Sequence, residues 1–171
     1  MDAAKRRERI IKLLADSSAP LSASTLAAKL AVSRQRIVGD IALLRAGGEK
    51  ITATPRGYVM DRPDDIGETY TVACVHELDG MEKELNIMVD NGCTVLNVIV
   101  EHPLYGQLTG PLHLSSRYDV AQFVKKCYEN QANPLCTLTG GVHLHTLICP
   151  SKECFERTKK QLDQAGLLYN E

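Results

Sequence analysis

The sequence changes character across Asp61-Arg62-Pro63-Asp64-Asp65, a polar stretch whose proline disfavours helix at the residue before it. Residues 1–62 hold 12 lysines and arginines against 6 acidic residues, a balance of +6, whereas residues 63–171 hold 8 against 15, a balance of −7. The overall charge of −1 therefore conceals two halves with different partners: a basic segment suited to a polyanion, joined to an acidic one that stays off it. A chain of 171 residues has the length for one ordinary domain or two small ones, so length does not decide. The break does, placing a linker over 63–68 between units 1–62 and 69–171. With 44% apolar and 24% charged residues and no low-complexity tract, both units are expected to fold.

Lys5, Arg6, Arg7, Arg9 and Lys12 interrupt the first twenty residues, and no later apolar run approaches bilayer length. The expectation is a cytoplasmic protein with no signal peptide and no membrane partner. Cys74, Cys93, Cys127, Cys136, Cys149 and Cys154 all follow the boundary without the close pairing of zinc knuckles or redox motifs. In a cytosolic setting they are expected to be mostly reduced and buried, a disulfide framework being the weaker reading. No repeat of solenoid length is visible.

The basic half breaks into three helical patterns and a hairpin. Residues 4–16 put Ile10, Leu13 and Leu14 on one face, and Ser22 is placed to cap a short second helix whose Leu26, Ala27 and Leu30 face inward. Ser33 caps a third helix over 34–46, with Ile37, Ile41 and Leu44 at i, i+4 and i+7 and Gly47-Gly48 as its stop. Strands at 51–54 and 58–60 flank Pro55-Arg56-Gly57, a turn whose proline and glycine suit the required angles and which makes the hairpin a candidate wing.

In a helix-turn-helix, a short helix packs across a recognition helix whose first turn meets base edges in the major groove. Burying Ile37, Ile41 and Leu44 leaves Arg34, Gln35 and Arg36 exposed beside the Ser33 cap. Gln35 and Arg36 are expected on bases and Arg34 on phosphate, with Arg56 at the wing tip on a flanking phosphate or the minor groove. The plainer alternative is a small helical domain with a solvated basic face. The agreement of helix lengths, turn and wing favours DNA.

The acidic half alternates strands with helices: strand 70–77, helix 80–91, strands 94–100 and 106–113, helix 116–130, strand 142–149 and helix 151–166. Adjacent strands with interspersed helices favour an open-faced α/β sandwich over a Rossmann sheet, and give an α+β class for the whole chain. Gly140-Gly141 precede a strand, not a helix, so they do not form a phosphate-binding loop.

Spacing of two puts His143 and His145 on one sheet face. His76 lies near the end of another strand, and Glu84, eight residues on, is placed where its helix could fold it back over the same edge. Three imidazoles and a carboxylate suit zinc, nickel or iron better than calcium or magnesium. On residues alone, a metal site and a set of ordinary strand and interior histidines weigh equally, since no local motif unites them.

Residues 26–41 (Leu26-Ala27-Ala28-Lys29-Leu30-Ala31-Val32-Ser33-Arg34-Gln35-Arg36-Ile37-Val38-Gly39-Asp40-Ile41), with Leu44-Arg45-Ala46-Gly47 and Gly57-Tyr58, resemble the winged-helix module of biotin-ligase-type repressors and many small-molecule-responsive regulators. One departure is Ala31, where glycine is common in the turn; alanine is tolerable there if the backbone is less strained. Val75-His76-Glu77, Glu84, Glu101-His102-Pro103-Leu104-Tyr105-Gly106 and Gly140-Gly141-Val142-His143-Leu144-His145-Thr146 resemble the 3H domain, named for its histidines. Over nearly its full length the chain is similar to the niacin-responsive repressors of NAD-biosynthesis and niacin-transport genes. That resemblance implies a metal held by His76, Glu84, His143 and His145, an HPr-like sandwich, a homodimer, operator DNA as partner and nicotinic acid as co-repressor. Nicotinate is a small anion whose site calls for a nearby cation or donor. His102, His113 and Arg117 are candidates, although Arg117 reads more readily as a solvated helix-start residue.

Other readings make distinct demands. A metal-responsive regulator needs no organic ligand, and a metalloenzyme with a DNA-binding module would use Glu77 or Asp79 as general base. Four protein ligands favour a regulatory or structural site over a catalytic one, which keeps a position for water. A biotin ligase would need a larger catalytic domain and a glycine-arginine-rich nucleotide loop that the sequence lacks.

Overall fold

The computed structural model describes residues 2–61 and 67–170, in two compact units, Met1–Asp64 and Asp65–Glu171. Of the linker expected over 63–68, residues 63–66 lie outside the described residues, and Glu68 already opens a strand.

The first unit holds α1 (Ala3–Ala15), α2 (Ala23–Leu30), α3 (Arg34–Ala46), β1 (Ile51–Thr54) and β2 (Gly57–Met60). Each helix starts at a side-chain cap: Asp2 accepts from Ala4 N at 2.7 Å, Ser22 from Thr25 N at 3.0 Å and Ser33 from Arg36 N at 3.2 Å. Ile10, Leu14, Leu26, Leu30, Ile37, Ile41, Leu44 and Ile51 form one core. Burial of each such side chain stabilises the fold by roughly 1.5–3 kcal/mol. Beside this apolar layer Arg6 donates from Nε to Asp40 Oδ2 at 2.6 Å and from a second nitrogen to Oδ1 at 3.1 Å, with Arg7 3.8 Å from the same carboxylate. The Arg6–Asp40 pair ties α1 to α3.

Two tight places shape this unit. Ala31 ends α2 at φ 53°, ψ 47°, so the turn does demand the left-handed conformation that glycine tolerates better, and alanine occupies it under strain. In the wing, Leu21 and Tyr58 exchange both backbone hydrogen bonds, at 3.0 and 2.9 Å. Leu21 consequently passes so close that a Cβ at residue 57 would lie 2.4 Å from its carbonyl, and only glycine fits.

The second unit is an antiparallel four-stranded sheet in the order β3 (Glu68–Val75), β6 (Val142–Cys149), β4 (Thr94–His102), β5 (Gly106–Leu114). It carries α4 (Met81–Asp90), α5 (Arg117–Glu129) and α6 (Lys152–Gln164). Along β6, His143, His145, Leu147 and Cys149 are buried while Leu144 is exposed, so one face lies under helices and the other is open. Leu85, Met88, Val120, Val124, Phe155 and Leu162 supply the helical side of the core.

Element boundaries move by one or two residues from the expected ones, with two consequences. The strand expected to reach residue 77 ends at Val75, and a 3-10 turn, Leu78–Gly80, precedes α4, so His76 sits in the connection rather than on the strand. A second 3-10 turn, Leu135–Thr139, lies between α5 and β6 and packs against β4 and β6. The end of the chain also joins the sheet, Val75 N donating to Leu167 O at 2.9 Å and Tyr169 N to Ala73 O at 3.0 Å. All six cysteines are free, four of them buried.

Candidate metal centre and nucleic-acid interface

Glu84 projects from the first turn of α4 into the sheet and is 1% exposed. Around its carboxylate stand three imidazoles from two places in the chain. His76 Nε2 lies 2.7 Å from Oε2, His143 Nε2 3.1 Å from Oε1, and His145 Nε2 3.3 Å from Oε2. The rings of His76 and His143, and those of His143 and His145, meet edge to face at 4.8 and 4.9 Å. The four residues singled out in the sequence thus converge, although they span 69 positions of chain.

The outer ring nitrogens are all engaged. Nδ1 of His76 faces Glu77 O at 2.6 Å, Nδ1 of His143 faces Gly141 O at 2.8 Å, and Nδ1 of His145 faces Asn97 O at 2.6 Å. A carbonyl only accepts, so each Nδ1 carries the proton and donates it. A ring that is neutral would then turn an Nε2 lone pair toward the carboxylate, an arrangement that repels itself unless a metal ion or a proton on Nε2 lies between them. Imidazoles fixed by carbonyls on their far side are the usual support of transition-metal ligands. The donor set therefore fits a borderline metal ion such as zinc, nickel or iron. Ligand atoms of His76, Glu84 and His143 lie within 4.8 Å of one another.

The electrostatics follow the same geometry. Burial alone would raise the Glu84 carboxyl, but the charge of His145 and hydrogen bonds from all three imidazoles hold it well below the usual carboxylate range. For His76, burial pushes downward, and the hydrogen bond and charge of Glu84 outweigh it to leave the ring above its ordinary value.

Several residues that build this site carry no signal in the sequence. A bulge in β4 between Val95 and Asn97 brings the Asn97 carbonyl onto His145, while its side-chain oxygen accepts from Thr146 N at 3.0 Å. His76 is clamped by two glycines. A Cβ on Gly80 would come within 2.6 Å of the His76 Cβ, and one on Gly141, at φ 92°, within 2.4 Å of the His76 carbonyl oxygen. The glycine pair before His143 was visible in the sequence; its task, close passage beside a residue 65 positions earlier, was not. Cys74 pairs in register with His143 and is fully buried beneath the cluster.

The residues considered for an anion are scattered. His102 ends β4, four residues beyond the Val98 that pairs with His145, and its Nδ1 accepts from Leu104 N and Tyr105 N at 3.2 and 3.3 Å in the hairpin turn. Arg117 starts α5 and donates to Asp90 from Nε at 2.7 Å, its side chain 68% exposed. His113 lies on the outer strand β5 at φ 53°. The fold does not assemble these three into one site.

In the first unit Arg34, Gln35 and Arg36 form the exposed first turn of α3, just past the Ser33 cap. Arg56 is at the wing tip but only half exposed, its backbone N–H donating to Thr54 Oγ1 at 3.2 Å.

A two-helix reader with a wing, followed by a histidine-lined sandwich, defines a class, and family comparison agrees: residues 6–59 match an HTH domain and residues 69–171 the 3H domain. The chain is 42% identical over 167 residues, 98% of its length and 95% of the relative's, to the probable transcription repressor NiaR of Thermotoga maritima. It is 41% identical over 168 residues, 96% of its length and 93% of the relative's, to the transcription repressor NadR of Bacillus subtilis. It belongs to this family of transcription repressors built from an HTH domain and a 3H domain.

Proposed function

We propose that this protein is a transcription repressor that binds operator DNA as a homodimer through α3 and the wing, holds a divalent transition metal on His76, Glu84, His143 and His145, and responds to nicotinic acid as co-repressor. The observation that carries the metal is the convergence of three Nε2 atoms, each with its Nδ1 anchored to a carbonyl, on one buried carboxylate. The exposed Arg34, Gln35 and Arg36, capped by Ser33, support the reading of DNA, with Arg56 on a flanking phosphate. Resemblance to niacin-responsive repressors supplies the effector. No helix among the described residues is long and apolar enough to cross a membrane.

Bound here, a transition metal would supply a Lewis-acidic point of attachment for a pyridine nitrogen or carboxylate. The chain's own contribution is orientation: carbonyls fix the imidazole tautomers, and α4 delivers the carboxylate. Nicotinate would favour the dimer geometry that sets two recognition helices about one DNA turn apart, so effector and operator binding reinforce each other.

Calorimetry with nicotinate and related pyridines, on metal-loaded and chelator-treated protein, tests this. Nicotinate is expected to bind the metal-loaded form alone and to tighten binding to operator DNA. Nicotinate binding that ignores the metal, or operator affinity that ignores nicotinate, would overturn it. One observation favours a second reading, in which the metal itself is the signal. The side chains of all four ligands are 4% exposed or less, so an ion there would be enclosed by the protein's own groups. That reading predicts operator affinity that follows metal with no organic ligand present.

A further inference from the structure

α3 buries Ile37, Asp40, Ile41 and Leu44. At 100° per residue, the direction opposite this buried side falls among Gln35, Gly39, Ala42 and Ala46, all exposed. Gly39 is therefore in the interior of a helix and at the centre of its outward face. Glycine is, proline apart, the residue least favourable to a helix interior, so its presence needs a cause.

The fold supplies none. A Cβ at residue 39 would meet nothing within 4 Å, and its backbone is not in the left-handed region. Gly57, Gly80 and Gly141 are different, since a side chain there would collide with the protein itself. Meanwhile the Arg6–Asp40 ion pair, anchored one residue away, fixes how α3 presents this face. Val38 and Leu43, on either flank, are 39% and 60% exposed, apolar surface that the protein leaves uncovered, with Arg34, Arg36 and Arg45 around it. Apolar groups ringed by cations fit a major groove, where thymine methyls lie between phosphates.

We propose that Gly39 is a specificity-determining position of the DNA interface. Its missing side chain lets α3 seat deep enough for Gln35 to take the N6 and N7 edge of an adenine and for Ala42 and Val38 to meet thymine methyls, so the class of sequence read is A·T pairs in the major groove. This rests on the reading of α3 as the recognition helix.

The test uses the full-length chain, with nickel or zinc and nicotinate present throughout, and needs no known operator. A duplex library of randomised sequence is selected on the wild-type protein, and the enriched duplex becomes the probe. Gly39→Ala is expected to melt at an equal or higher temperature than wild type, because alanine favours helix. It should nevertheless bind the enriched duplex at least about tenfold more weakly, within the range of losing a base-pair contact. The salt slope should be unchanged, since phosphate contacts remain, and reselection on Gly39→Ala should recover a different preference at the A·T positions. Unchanged affinity and preference in a well-folded Gly39→Ala would overturn the proposal and leave α3 as a DNA reader intact. A Gly39→Ala protein that melts lower would mean glycine serves the fold, overturning it as well. If nothing enriches on the wild-type chain, the recognition-helix reading itself falls.

Discussion

Each unit buries a carboxylate at its centre, and the two are neutralised in different ways. Asp40, 4% exposed, meets the guanidinium of Arg6, a permanent cation whose fork matches both carboxylate oxygens. The pair is complete within the protein and does structural work, holding α3 to α1. Glu84, 1% exposed, meets three imidazoles whose remaining nitrogens are already committed to carbonyls. Those rings, unlike a guanidinium, hold no permanent charge, and their convergence on one carboxylate is what the proposed metal site rests on. A buried carboxylate on a permanent cation thus needs nothing more, whereas one ringed by imidazoles is where a metal ion can be proposed.

The comparison is most exposed to failure at Asp40. Asp40→Ala leaves Arg6 charged and unpaired in an apolar core, so the melting temperature of the first unit should fall by more than about 10 °C. Replacing both residues with apolar ones of similar volume should restore most of the loss. A single variant that melts like wild type by circular dichroism would deny the pair its structural role.

At Glu84 the effect should be conditional on metal. Wild-type protein is expected to melt higher with added nickel or zinc than after chelation, by mass action on the folded state. Glu84→Ala should erase that difference and weaken metal binding by more than the ~100-fold typical of losing an outer-shell partner. Identical melting of chelated and metal-loaded wild type would collapse the contrast between the two units.

Gly80→Ala sharpens the same contrast without replacing any of the four proposed ligands. Its Cβ would displace the His76 side chain, and metal affinity should drop by about tenfold in calorimetry. An unaffected dissociation constant would show that His76 needs no such clamp.

A smaller change is expected in the first unit at Ala31. Relieving its left-handed backbone with Ala31→Gly should stabilise the unit by about 1 kcal/mol in denaturant titration. Destabilisation would mean that the added freedom of the unfolded chain outweighs the strain. Least of all, Arg117→Ala should leave nicotinate binding and stability unaltered, since an exposed pair with Asp90 contributes little. A marked loss of nicotinate affinity would return Arg117 to the effector site.

Much of the fold was legible because the signals are local. Ser22 and Ser33 cap helices where their spacing from the apolar runs requires, and residues 142–149 form the strand read for them. Histidines two apart on that strand had to share a face. Local periodicity could not show the 3-10 turn at Leu135–Thr139 or the short chain-end pairing with β3, because both depend on contacts with distant strands. The anion candidates His102, His113 and Arg117 were chosen by residue type near expected loops, and type alone does not say that the hairpin turn and Asp90 already engage two of them.

By itself, then, the sequence determined the two units, their element types, the exposed first turn of α3 and the residue kinds able to hold a metal, since charge, periodicity and capping act over a few residues. Only the tertiary structure decided that His76 meets a pair nearly seventy positions away. It also placed the carbonyl of Asn97, through a bulge, behind His145 and passed Gly141 against His76. Donor convergence is a property of strand order and register, and those are settled by packing across the sheet rather than by any stretch of chain.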